Sequence, residues 1–123
     1  MANPIVHFEL MGPDGKQQKA FYESMFGWQL EAVPGFGDYF TVEKDAIGVG
    51  GAVGQGPEES PAYLTIYVEV ADIDAHLARI EEAGGNTITP RTVIPGTVTF
   101  AMFADPAGNV VGLVEQDDAE ATG

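Results

Sequence analysis

The chain has 123 residues, enough for one compact domain, and its 45% hydrophobic and 20% charged composition is globular rather than disordered. It has no cysteine, which excludes disulfides, thiolate metal sites and a cysteine nucleophile. Its formal net charge is -14, with five cations (Lys16, Lys19, Lys44, Arg79 and Arg91) scattered among nineteen acids, so no basic patch exists to neutralise phosphates and no nucleic-acid partner is expected.

The opening Met1-Ala2-Asn3-Pro4 lacks the basic and apolar regions of a secretory signal. No stretch approaches membrane-spanning length, so no membrane partner is expected and the location is read as cytoplasmic. Residues 5–10 alternate β-branched and aromatic side chains with His7 and Glu9, and Gly12-Pro13-Asp14-Gly15 stops them: a strand and a turn. Over residues 16–26, Ala20, Phe21, Met25 and Phe26 gather opposite Lys16, Lys19 and Glu23, which predicts an amphipathic helix ended by Gly27. Residues 28–33, 39–42 and 47–53 read as three short strands.

After the polar stretch 54–61, an alternating strand over 63–70 opens a second module. Ile73, Leu77 and Ile80 predict a helix over 72–83, stopped by Gly84-Gly85. Strands follow at 86–92, 98–104 and 110–115, with Asp105-Pro106-Ala107-Gly108-Asn109 as the last turn. Both halves therefore read βαβββ. His7 and Thr65 stand the same distance before Gly27 and Gly85, so the halves register as an internal duplication. The expected organisation is one domain: module one over about 5–53, linker 54–61, module two over about 62–116, and an acidic tail at 117–123.

Two such modules, with Phe21-Tyr22-Glu23-Ser24-Met25-Phe26-Gly27-Trp28 in the first and Phe103-Ala104-Asp105-Pro106-Ala107-Gly108-Asn109 in the second, resemble the vicinal oxygen chelate superfamily. Its members include glyoxalases, bleomycin-resistance proteins and extradiol dioxygenases, and the likeness is to its short bacterial glyoxalase-like branch. The resemblance implies an α+β fold in which a curved, cup-shaped mixed sheet holds the ligand and the helices lie outside. A homodimer is also implied. Metal-dependent members place four ligands in the cup, and those places fall here on His7, Gly50 or Gly51, Thr65 and Gly112. One imidazole among such residues makes a weak divalent site, so no metal and no other cofactor is expected.

If Phe8 and Leu10 face the helix, strand parity turns His7, Glu9 and Met11 the other way, and likewise Thr65, Tyr67 and Glu69. His7 and Glu9 are the candidate acid, base or ligand contacts, the alternative being a histidine that merely bonds a neighbour. Trp28, Tyr39, Phe40, Tyr67, Phe100 and Met102 lie on the strands that would form the concave sheet, and each is open to two roles, clamping an apolar ligand or packing under a helix. His76, on the second helix, is expected away from the cup. Ser24 and Ser60 form no recognisable triad, and the glycines at 48, 50 and 51 are followed by no Lys-Ser or Lys-Thr, so they signal close strand approach rather than a phosphate loop.

Three functions fit these residues. The first is a metal-independent small-molecule binder, whose acidity would suit a cationic guest. The second is a lyase or isomerase of the glyoxalase-like class moving a proton with His7 and Glu9, either alone or with a weakly held divalent metal. The third is a scaffold with an empty cup.

Overall fold

The architecture starts from a first strand whose middle residues are all half-buried, with both of its faces covered in part. In the computed structural model, which describes residues 2–57 and 62–115, β1 (Ile5–Gly12) is followed by α1 (Gly15–Phe26), β2 (Glu31–Ala32) and β3 (Tyr39–Val42). A short helix α2 (Lys44–Ile47) and β4 (Gly51–Gln55) complete the first half. The second half is β5 (Tyr63–Val70), α3 (Ile73–Glu82), β6 (Asn86–Ile94), β7 (Val98–Ala104) and β8 (Val110–Glu115). The fold is α+β with mixed sheets, as expected. The acidic tail at 117–123 and positions 58–61 of the linker lie outside the described residues.

The chain forms two compact units, Val6–Ile66 and Met1–Ile5 with Tyr67–Gly123. In the first, the strand order is β2-β3-β4-β1, with β4 parallel to β1 and the other pairs antiparallel. In the second it is β5-β8-β7-β6, with β8 parallel to β5 and the others antiparallel. The duplication is visible in the helix starts. β1 and β5 are both eight residues long and both lead into an aspartate N-cap, Asp14 accepting from the Gln17 N–H and Asp72 from the Ala75 N–H, each at 3.1 Å. Such caps satisfy amides that a helix cannot satisfy itself.

Each unit has its own core. Leu30, Phe40, Val42 and Val53 are buried in the first, with Phe8, Leu10, Tyr22, Trp28 and Ile47 packed against them. Val70, Ile73, Leu77, Ala101 and Leu113 are buried in the second, beside Val68, Ile80 and Phe103. Phe8 and Leu10 thus face the helix side of β1, which the alternation of the strand requires of residues two apart.

Three local expectations are corrected. The inward side of α1 is not Phe21, Met25 and Phe26, which are 51%, 57% and 63% exposed. Tyr22 takes the core position instead, stacking on Trp28 at 5.4 Å between centroids, and Glu23 turns in to accept the Leu30 N–H at 3.2 Å. That bond satisfies the Leu30 amide just before β2. The strand expected over 28–33 is only Glu31–Ala32. The strand expected over 47–53 starts later: Lys44–Ile47 forms α2, closed by Gly48 at φ 101, and β4 runs from Gly51 to Gln55.

Candidate functional site

The face of β1 opposite the first core carries His7, Glu9 and Met11. Antiparallel pairing brings Tyr39 onto the same face, since Tyr39 pairs with Gly54 and Gly54 with Met11. The Tyr39 hydroxyl then sits between the two polar side chains of β1. It donates to Glu9 Oε2 at 2.6 Å and lies 3.0 Å from His7 Nε2. A phenol has one hydrogen, so once it goes to the carboxylate the imidazole nitrogen must be the donor in the second bond. That assigns the Nε2–H tautomer to neutral His7 and puts its ring lone pair on Nδ1.

Burial pushes the His7 imidazole below its ordinary value, and the Glu9 charge opposes the shift. Tyr63, at the start of β5, shares this environment: burial raises its phenol above the ordinary value and Glu9 raises it further. Its ring also lies where a side chain at Gly56 would go, 3.1 Å from the position of a Cβ there. Phe36, in the loop before β3, meets the Tyr39 ring at 5.6 Å and is 37% exposed. Neither Tyr63 nor Phe36 was among the expected site residues. Tyr63 shares the alternation that singled out Thr65 and Tyr67, whereas Phe36 sits in a glycine-rich loop that carries no periodicity.

Trp28 is not brought to His7. It packs on the helix side with Tyr22, Phe26 and Phe8, 5.8 Å from the Phe8 ring. In the second unit, Tyr67 pairs with Gly112 and Gly112 with Met102, while Glu69 pairs with Val114 and Val114 with Phe100. Tyr67, Glu69, Phe100 and Met102 therefore share one sheet face, opposite the core side of Ala101 and Leu113. Thr65 alternates onto the same side of β5 as Tyr67, is 5% exposed, and donates to the Ile66 carbonyl at 3.4 Å. His76 lies on α3. Glu115 is held by Arg91 through two bonds of 2.9 Å and accepts the Ile73 N–H at 3.0 Å, which keeps its carboxyl below the usual range.

The pairing also separates Gly50 from Gly51. Gly51 lies beside Phe8 on the core side, and a Cβ there would fall within the Phe8 ring. Gly50 precedes β4, its carbonyl accepts from the Phe8 N–H at 3.3 Å, and a Cβ there would lie against Val42 and Lys44. Gly112 is covered by the Tyr67 ring. Among the described residues, no group of three or more His, Asp or Glu side chains is placed to hold a metal ion. No described helix is long and apolar enough to cross a membrane.

The sequence profile of the glyoxalase/bleomycin resistance protein/dioxygenase superfamily matches residues 4–113. The chain belongs to this superfamily. Its likeness to the anthracycline biosynthesis protein DnrV of Streptomyces peucetius is 35% identity over 136 aligned positions, covering 94% of this chain and 49% of DnrV. DauV of Streptomyces sp. (strain C5), also an anthracycline biosynthesis protein, is 34% identical over the same shares. The chain thus spans about half the length of these curated relatives. Among solved structures, methylmalonyl-CoA epimerase from Mycobacterium tuberculosis superposes with a TM-score of 0.71 at 15% identity, covering 97% of this chain and 91% of the epimerase. At that identity the likeness is one of fold. The two sequence signals have structural roles here: Tyr22 and Trp28 pack against the first core, and Asp105 ties its turn by accepting from the Ala107 and Asn109 amides at 3.0 and 2.9 Å.

Proposed function

We propose that this chain is a small-molecule-binding member of the superfamily that works without a divalent metal, taking its ligand against the face that carries His7, Glu9 and Tyr39. The observation that carries this reading is the Tyr39 hydroxyl bridging His7 and Glu9 on a part-buried face that also carries Met11 and Thr41. Polar groups held in fixed positions on an apolar surface are what orient a small ligand. In the second unit Tyr67, Glu69, Phe100 and Met102 share a face of the same kind, while Thr65 lies on the part of β5 that belongs to the first unit. The likeness to two proteins of anthracycline biosynthesis supports a small organic molecule as the guest.

The residues at the superfamily's metal places do not fit a divalent centre. Gly50 and Gly112 have no donor atom, Tyr67 occupies the space over Gly112, and Glu9 already accepts from Tyr39. A catalytic centre draws its affinity from three or more protein ligands fixed in advance, so His7 alone competes poorly with water. The protein acts in the cytoplasm as a homodimer in this reading.

A second reading, proton transfer on a carbonyl compound, is favoured by one feature: the His7–Tyr39–Glu9 chain can hold and pass a proton. A thermal-shift screen of small molecules, run with and without a chelator and repeated on His7→Ala, separates the readings. Stabilisation that survives chelation and is lost in His7→Ala supports binding; stabilisation that requires an added divalent ion overturns the metal-free assignment. Chelator-resistant turnover of a stabilising compound, abolished in folded His7→Ala, replaces binder by enzyme.

A further inference from the structure

The sheet of the second unit holds a carboxylate on the face away from its core. Glu69 lies between Val68 and Val70, which pack into that core, so its side chain takes the opposite face. Register continues this face across the sheet in two rows. Glu69 pairs with Val114 and Val114 with Phe100, while Tyr67 pairs with Gly112 and Gly112 with Met102. On β6, Thr92 stands opposite Phe100 and Thr89 opposite Met102, and the Thr92 hydroxyl donates to the Pro90 carbonyl at 2.8 Å. Phe100, Met102 and Val114 are half-buried, and the Tyr67 ring covers the bare backbone of Gly112. The two rows carry no charge except that of Glu69.

That charge has no counterion. The backbone of Glu69 is held by the N-terminal segment, its N–H donating to the Pro4 carbonyl at 2.9 Å and its carbonyl accepting from Asn3 Nδ2 at 3.1 Å. Its carboxylate is half-buried and accepts no bond among the described residues. The other half-buried carboxylates on strands are both engaged, Glu9 by Tyr39 and Glu115 by Arg91. Arg79 and Arg91 are the only Lys or Arg residues of this unit. Arg91 is bonded to Glu115, two residues along β8 from Leu113 on the core side, and Arg79 is exposed on α3 together with the half-buried His76. A carboxylate withdrawn from water without a partner costs free energy, and a bound cation removes that cost.

We infer that this face takes an organic cation, an ammonium or quaternary ammonium on a small apolar body, with Glu69 balancing the charge while Phe100 and Met102 receive the body. The assignment goes beyond the reading of the His7 face and does not draw on it. Aromatic faces attract such cations through their quadrupole, and a thioether adapts to an irregular apolar surface. The chain's net charge of -14 steers cations inward and repels anions before contact. At the face itself an anion would meet Glu69, a like charge with no cation to offset it.

The test is a titration of the full chain with benzyltrimethylammonium, followed through the NMR methyl signals of Met102 and Val114, beside phenylacetate and benzyl alcohol as anionic and neutral probes on the same ring. The cation is expected to shift both sets of methyls and to bind roughly fivefold or more tighter than either control. Glu69→Gln keeps the shape and removes the charge, and should erase most of that preference. Phe100→Leu is a second arm should Glu69→Gln fail to fold, and is expected to weaken the cation roughly threefold or more. No saturable binding of the cation, binding that leaves Met102 and Val114 unshifted, or a preference unchanged in the folded variants overturns the inference. None of these outcomes bears on the His7 face, whose reading stands or falls with the thermal-shift screen on His7→Ala.

Discussion

The ring of Tyr67 lies across Gly112, its register partner on β8, so closely that a Cβ at Gly112 would fall inside the ring. A residue with any side chain at this position must therefore displace a tyrosine that is itself only 9% exposed. The glycine is required by close approach rather than by backbone conformation, since its φ is not in the left-handed region.

Gly112→Ala should destabilise the protein by about 1–3 kcal/mol, the usual cost of forcing extra volume into a packed site. Denaturant midpoints measure it. Tyr67→Ala should abolish most of the penalty when combined with Gly112→Ala, because the clash then has no second partner. A Gly112→Ala protein as stable as the parent would mean that the ring has room to move.

The two helices are expected to respond unequally to truncation. Leu77→Ala, in the core of the second unit, should cost about 2–5 kcal/mol. Phe21→Ala should cost less than about 1 kcal/mol, because the ring is half exposed and surface substitutions seldom exceed that. Comparable losses in urea unfolding, measured at a concentration low enough to keep the chain monomeric, would restore Phe21 to the core.

The strength of periodicity decides which of these features the sequence makes legible. Ile73, Leu77 and Ile80 recur with a clean helical period, and α3 buries that stripe. Around Phe21 almost every position is apolar or long enough to pack, so several rotations of α1 satisfy the pattern. The observed rotation stacks Tyr22 on Trp28 and ties Glu23 to the Leu30 amide, contacts into an irregular segment that leave no periodic trace. The site divides the same way. Strand parity placed His7 beside Glu9, and it placed Tyr67, Glu69, Phe100 and Met102 on one face. It could not say that Tyr39 would reach both polar groups of β1, because that depends on the register between β3, β4 and β1, which alternation alone leaves open.

Metal content gives a third expectation. Protein purified without a chelator should carry far less than one equivalent of zinc, nickel, iron or manganese by elemental analysis after gel filtration. Glu9 accepts a hydrogen bond from the Tyr39 hydroxyl, and the glycines at 50 and 112 offer no side-chain ligand. Close to one ion per chain, lost in His7→Ala, would refute the metal-free assignment and make Glu9 a ligand. Addition of a chelator should leave the thermal midpoint unchanged.

The His7 titration supplies the last expectation. In the unfolded chain the imidazole titrates near its ordinary value of 6.5, and in the folded chain burial moves this lower. The unfolded state therefore takes up the proton first as pH falls, and linkage converts that difference into lost stability. The contribution is fully present above the ordinary value and disappears as pH drops from there through the folded value. His7→Gln should flatten that part of the stability profile while His76 remains in both proteins, so the difference between them isolates His7. Imidazole resonances followed by NMR should show a midpoint below 6.5 for His7. Glu9→Gln should move it lower still, because the carboxylate is the group that opposes the effect of burial. A His7 midpoint at or above the ordinary value, or one that rises in Glu9→Gln, would contradict the neutral imidazole on which the hydrogen count along Tyr39 depends.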